Sequence, residues 1–187
     1  MLEKVARAKE ILEILQAEFG DFTCESGVHL FFYTSFGKMV NHSNGFSGRF
    51  SDMLQEKYGL TLSFACGCTR LVIVDEMDGF VIKIGRHGDG ANRREYKQYR
   101  TVIERCPRLK KYLAWCDGFK WKETFIVVME YVEPHAFIFD SYNGRDKFRQ
   151  LVGEEVWELI RQNSLDCDLH EGNWGCVHGV PVLIDYA

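Results

Sequence analysis

Apolar residues recur at three- and four-residue steps at the start of the chain, at Leu2, Val5, Ile11, Leu12, Leu15 and Phe19. That period predicts a helix over 2–19 with one packing face, ended by Gly20. Val28 to Thr34 is apolar and aromatic enough for a strand, and Gly37 to Gly48 reads as a polar loop. A short helix over Phe50 to Tyr58 follows, stopped by Gly59. From Leu60 the texture turns to β, with strands expected at Leu60 to Ala65, Arg70 to Asp75 and Phe80 to Ile84. Glu76-Met77-Asp78-Gly79 supplies the hairpin turn, Asp-Gly being a strong turn signal. Gly85 to Gly90 is a polar loop, and Asn92 to Arg105 a helix ended at Cys106-Pro107. Tyr112 to Cys116 and Thr124 to Tyr131 read as strands joined around Asp117-Gly118. After an aromatic connector over Pro134 to Gly144, with a helical turn at Phe137 to Tyr142, one helix is expected over Phe148 to Gln162. Trp174 to Val177 and Val180 to Ile184 then close a hairpin over His178-Gly179.

Composition narrows the class. A chain of 187 residues, 46% apolar and 14% aromatic, suits one domain or a domain with an appended segment. The net charge of −4 gives no support for a nucleic-acid or anionic-membrane surface. The opening stretch is charged, unlike a signal peptide, and runs such as Thr124 to Met129 are too short to span a bilayer. Seven cysteines without scaffold-like regularity fit reduced thiols. The expectation is a cytoplasmic protein.

Candidate chemistry concentrates near the end. Asp168, Asn173 and Asp185 lie within eighteen positions, and the apolar run Val180 to Ile184 delivers the last as a strand delivers a side chain into a cleft. Phosphoryl transfer uses such a set: a carboxylate to orient and deprotonate a hydroxyl, with an amide and a second carboxylate for magnesium.

The run Asp168-Leu169-His170-Glu171-Gly172-Asn173, then a hairpin and Ile184-Asp185-Tyr186-Ala187, resembles the catalytic core of the protein-kinase-like superfamily. It is most similar to the Asp-Leu-His-Pro-Gly-Asn form of aminoglycoside phosphotransferases and some atypical kinases. Where ordinary protein kinases carry His-Arg before the Asp and Lys two residues after it, this chain has Asp166, Cys167 and His170. The resemblance implies that Asp168 is the catalytic base, that Asn173 and Asp185 bind metal, and that the cofactors are ATP and Mg²⁺. It makes Lys83, in Val81-Ile82-Lys83, the phosphate-holding lysine, with Glu95 on the following helix as its partner. Gly67, in the turn Cys66 to Arg70, would cover the phosphates, where protein kinases use three glycines. Glu130, Tyr131 and Val132, after the strand Phe125 to Met129, would be the adenine-binding hinge.

Other readings of these residues are blander. Lys83 could be a strand-edge lysine reaching solvent, Glu95 a solvated charge in a basic run, and Asp166 and Glu171 loop charges without a role. Cys167, His170, Cys176 and His178 have zinc-ligand types, but the second pair falls on a strand rather than a knuckle. No cysteine sits in a nucleophile signature.

The implied fold is α+β: a protein-kinase-like fold with an antiparallel five-stranded small lobe over 60–133 and a minimal, mostly helical large lobe over 134–187. Residues 1–59 form a helical extension on the core. The chain ends at Ala187, where the family's Asp-Phe-Gly motif ends, so residues 1–59 or a second copy in a homodimer are expected to cover the core left open. The expected function is ATP- and Mg²⁺-dependent phosphoryl transfer to a hydroxyl of a protein or small molecule. The alternative is a pseudokinase-type interaction module without catalysis.

Overall fold

The computed structural model describes residues 2–20, 46–66, 70–85, 90–133, 144–167 and 169–186. The strand expected at 28–34, the loop at 86–89, most of the connector at 134–143, and the residues Gly67 and Asp168 lie outside them. The chain is α+β, with a five-stranded antiparallel sheet. It divides into two compact units, one of Met1–Asn92 with Asp117–Val128, the other of Arg93–Cys116 with Met129–Ala187. The first unit groups both N-terminal helices with most of the sheet, and the second includes residues 93–116.

In the first unit, α1 (Leu2–Phe19) and α2 (Phe46–Tyr58) accompany strands β1 (Leu62–Cys66), β2 (Arg70–Asp75) and β3 (Phe80–Gly85). The face that α1 buries is Ala8, Ile11, Leu12 and Leu15, whereas Leu2 is left exposed. Its first turns hold the β2–β3 turn: Lys4 Nζ donates to Gly79 O at 2.8 Å, and Arg7 Nε lies 3.3 Å from Asp78 Oδ2. Ser51 Oγ donates to Leu62 O at 3.0 Å and ties α2 to β1.

The sheet order is β1-β2-β3-β5-β4, where β4 is Cys116–Trp121 and β5 is Thr124–Glu130. Placed between β2 and β5, β3 is buried along its whole length. Here the expected strand Tyr112–Cys116 needs correction. Residues Pro107–Tyr112 form a 3₁₀ helix, which a proline at its first position favours, and the strand begins at Cys116. It runs straight through Asp117-Gly118, and the chain reverses at Lys122, which takes the left-handed conformation at φ 50°. Gly118 instead leaves room for the Phe125 ring, which a Cβ there would meet at 2.6 Å.

The second unit holds most of α3 (Gly90–Arg105), then α4 (Gly144–Val152), α5 (Glu154–Gln162) and the two-stranded hairpin β6 (Trp174–Val177) with β7 (Val180–Leu183). The single helix expected over 148–162 is two, because Gly153 at φ 80° ends α4 and starts α5. Phe148 and Trp174, both fully buried, meet edge to face with ring centroids 5.4 Å apart and carry the hairpin onto α4. Among the described residues no helix is long and apolar enough to cross a membrane.

Candidate active site

The second unit brings together most of the residues that the sequence singles out, and its hairpin does the positioning. Trp174 pairs with Leu183 across β6 and β7. Beyond that pair the ladder continues by one bond, from Ile184 N to Asn173 O at 2.9 Å. Asn173 and Asp185 therefore stand at the same end of the hairpin, the first buried and the second half-buried. On the other side of Asn173 its N–H donates to His170 O at 3.0 Å, and His170 Nδ1 accepts from Gly172 N at 3.1 Å. These bonds close the tight 3₁₀ turn Glu171–Asn173, where the loop after Asp168 ends.

Asp185 is held between two fixed neighbours. Ile184 is tied to Asn173 as above. Tyr186 is buried, its hydroxyl donates to Ala114 O at 3.1 Å, and its ring stacks on Tyr99 of α3 at 6.2 Å and 25°. Ala114 N in turn donates to Leu183 O at 2.8 Å. One turn before Tyr99, Glu95 is fully buried, which excludes the reading of it as a solvated charge.

Burial pushes the Tyr186 phenol well above its ordinary range, and the neighbouring Cys116 and Glu95 add to this. Burial raises Tyr99 as well. Both folded-state values exceed the unfolded one, so the fold keeps these protons longer than the unfolded chain does. The stability linked to them is complete below pH 10 or so and is lost as pH rises through the raised values. Urea unfolding followed from pH 8 upward should show this decline, and Tyr186→Phe should make it shallower. A wild-type stability flat through pH 11 would contradict the assignment.

The candidate hinge lies against the same hairpin. Glu130 N donates to Trp115 O at 2.8 Å, Tyr131 is half-buried and Val132 is buried. Gly175 of β6 passes directly beneath this segment: a Cβ there would collide with the Glu133 carbonyl oxygen and come within 2.7 Å of Val132 Cγ1. A carbonyl oxygen of the main chain cannot swing aside as a side chain can. Gly175→Val should therefore cost about 1–3 kcal/mol, as overpacking does, and lower the melting temperature by roughly 5 °C. A melting temperature equal to wild type would show that the hinge does not rest on β6.

Two residues that the sequence left without a role proved structural. Asp166 is no solvated loop charge: it forms an ion pair with Arg145 of α4, whose guanidinium lies 5.3 Å from the centroid of the Trp157 ring. This pins the loop two residues before Asp168. In the first unit, Asn92 is fully buried and donates through Nδ2 to Lys83 O and Phe125 O, both at 2.8 Å. It thereby joins β3 and β5 at the start of α3. An amide placed just before a helical stripe was the only hint of it in the sequence.

Lys83 itself stands opposite Val72 and is 5% exposed, so it is not a lysine at a strand edge reaching solvent. Cys106, Cys116, Cys167 and Cys176 form no disulfide, and no three His, Cys, Asp or Glu side chains among the described residues gather as a zinc site would require. That removes the zinc set.

No protein-family model matches the chain, and no curated protein matches it.

Proposed function

We propose that this chain is an ATP- and Mg²⁺-dependent phosphotransferase of the protein-kinase-like superfamily, acting on a hydroxyl acceptor. In this reading the sheet unit is the small lobe, and the helices with the β6–β7 hairpin are a minimal large lobe. The observation that carries it is the main-chain bond from Ile184 to Asn173, which sets Asn173 and Asp185 at one end of the hairpin. An amide oxygen and a carboxylate are hard donors that suit Mg²⁺, which takes few protein ligands and keeps several waters. When bound, Mg²⁺·ATP supplies the transferable phosphoryl group and neutralises its charge.

The chain's own residues would divide the remaining work. Asp168 orients the acceptor hydroxyl and takes its proton. Asn173 and Asp185 hold the metal, and Tyr186 positions Asp185 through its bond to Ala114 and its stack on Tyr99. Lys83 is assigned to the α- and β-phosphates, Glu95 to the orientation of Lys83, and Glu130 to Val132 to the adenine, with Gly67 over the phosphates.

The test is to incubate the protein with γ-labelled ATP, with and without Mg²⁺, beside a panel of protein and small-molecule hydroxyl acceptors. Label should pass to the protein itself or to an acceptor only when Mg²⁺ is present. Absence of both nucleotide binding and label transfer would overturn the proposal. Binding without transfer to any acceptor would favour the pseudokinase alternative.

A further inference from the structure

The proposed phosphotransfer chemistry leaves unused the densest charge in the chain. From Arg93 to Lys111 there are eight Arg and Lys against two acids, Glu95 and Glu104, a net of +6 in a chain of net −4. Since Glu95 is buried, the exposed balance is more basic still. Part of this charge lines a groove of about 770 Å³ within the second unit. Arg94, Lys97 and Arg105 form one side of it along α3, and Gln162, Asn163 and Cys167 the other. All three basic side chains are exposed, none forms an ion pair with a described residue, and no described Asp or Glu lines the groove. Gln98 Nε2 donates to Asn163 O at 2.9 Å and fixes the two walls to each other.

The groove also reaches the candidate catalytic segment. Cys167, which lines it, precedes Asp168, and Tyr186, which also lines it, follows Asp185. From Arg94 to Arg105 the helix rises about 16 Å, at 1.5 Å per residue. An extended peptide covers that length with about five residues. Single-stranded nucleic acid would instead want exposed ring faces for its bases. The one aromatic residue lining the groove, among the described residues, is Tyr186, which is buried and stacked on Tyr99.

We propose that this groove docks an acidic peptide segment of a protein acceptor, so that the hydroxyl to be phosphorylated lies close to Asp or Glu residues in the acceptor's sequence. As a statement about the acceptor this rests on the phosphotransferase reading; as a statement about peptide binding it does not. The basic wall supplies long-range attraction that salt weakens.

Fluorescence anisotropy on the full chain without nucleotide tests the docking. The probes are a labelled Asp/Glu-rich peptide with one serine, the same peptide with Lys and Arg in place of the acids, and an oligothymidine of equal charge. The acidic peptide should bind in a salt-dependent manner and lose about tenfold in affinity in the double variant Arg94→Glu/Lys97→Glu. Arg105→Glu, at the far end of the groove, should weaken it separately and serves if the double variant does not fold. Transfer from Mg²⁺·ATP to both peptides is measured in parallel. Failure of the acidic peptide to bind overturns the docking proposal whatever the transfer assay gives. Tighter binding of oligothymidine, with the same loss on charge reversal, overturns it in favour of nucleic acid. Peptide binding with no transfer of phosphate to any acceptor supports the groove and overturns its assignment to an acceptor.

Discussion

Asp168→Ala should reduce phosphoryl transfer by about 10²- to 10⁴-fold, the usual contribution of a positioned general base, while Mg²⁺·ATP still raises the melting temperature of the variant. The separation follows from where such a carboxylate acts. It contacts the acceptor hydroxyl as that group loses its proton, so its removal costs the transition state and leaves nucleotide binding in place. Nearby described residues are tied down: Asp166 is ion-paired to Arg145, and the Asn173–His170 bond closes the turn Glu171–Asn173. Turnover by Asp168→Ala equal to wild type would remove Asp168 from the mechanism. Loss of nucleotide binding together with turnover would show that its role is structural.

The largest effect on stability is expected at Trp174. It is fully buried, is the largest of the fully buried side chains among the described residues, and packs edge to face on Phe148. Trp174→Ala should cost about 3–5 kcal/mol, the range for truncating a large buried aromatic, against a total that for most proteins is about 5–15 kcal/mol. A fall in melting temperature of roughly 10 °C or more is expected for a chain of this size. Because Trp174 is the residue next to Asn173 and pairs with Leu183, the damage should extend to the hairpin end. Binding of Mg²⁺·ATP should weaken even at temperatures where the variant remains folded. A variant as stable as wild type would mean that the hairpin is held by something other than its seat on α4.

The strands β2 and β3 and the hairpin β6–β7 were legible in the sequence because short apolar runs there are bounded by Asp78-Gly79 and His178-Gly179 turns. The extent of α1 was legible from its period, and so was the centre of its buried face at Ile11, Leu12 and Leu15; Leu2 is exposed instead, and Ala8 joins that face. The errors came where one residue type can do two things. Gly118 reads as a turn former but serves the close approach of the Phe125 ring within a strand. Gly153, inside an apparently continuous amphipathic run, takes a positive φ and divides the helix. At the site, the residue types and spacing of Asp168, Asn173 and Asp185 were visible. The contacts around Asn173 and Asp185 were not, since Ala114–Leu183, Tyr99–Tyr186 and Gly175 beneath Glu133 join segments far apart in the chain. Nothing local in a sequence marks such pairs.

The central claim, that Asn173 and Asp185 together hold the metal of a bound nucleotide, is tested most directly by Mn²⁺ in place of Mg²⁺. Electron paramagnetic resonance counts the Mn²⁺ bound per chain in the presence of ATP, for wild type and for Asn173→Ala and Asp185→Ala, each checked for its fold by circular dichroism. Wild type should bind Mn²⁺ in an ATP-dependent manner, and each folded variant should lose most of that binding. Equal ATP-dependent Mn²⁺ binding in all three proteins would contradict the account.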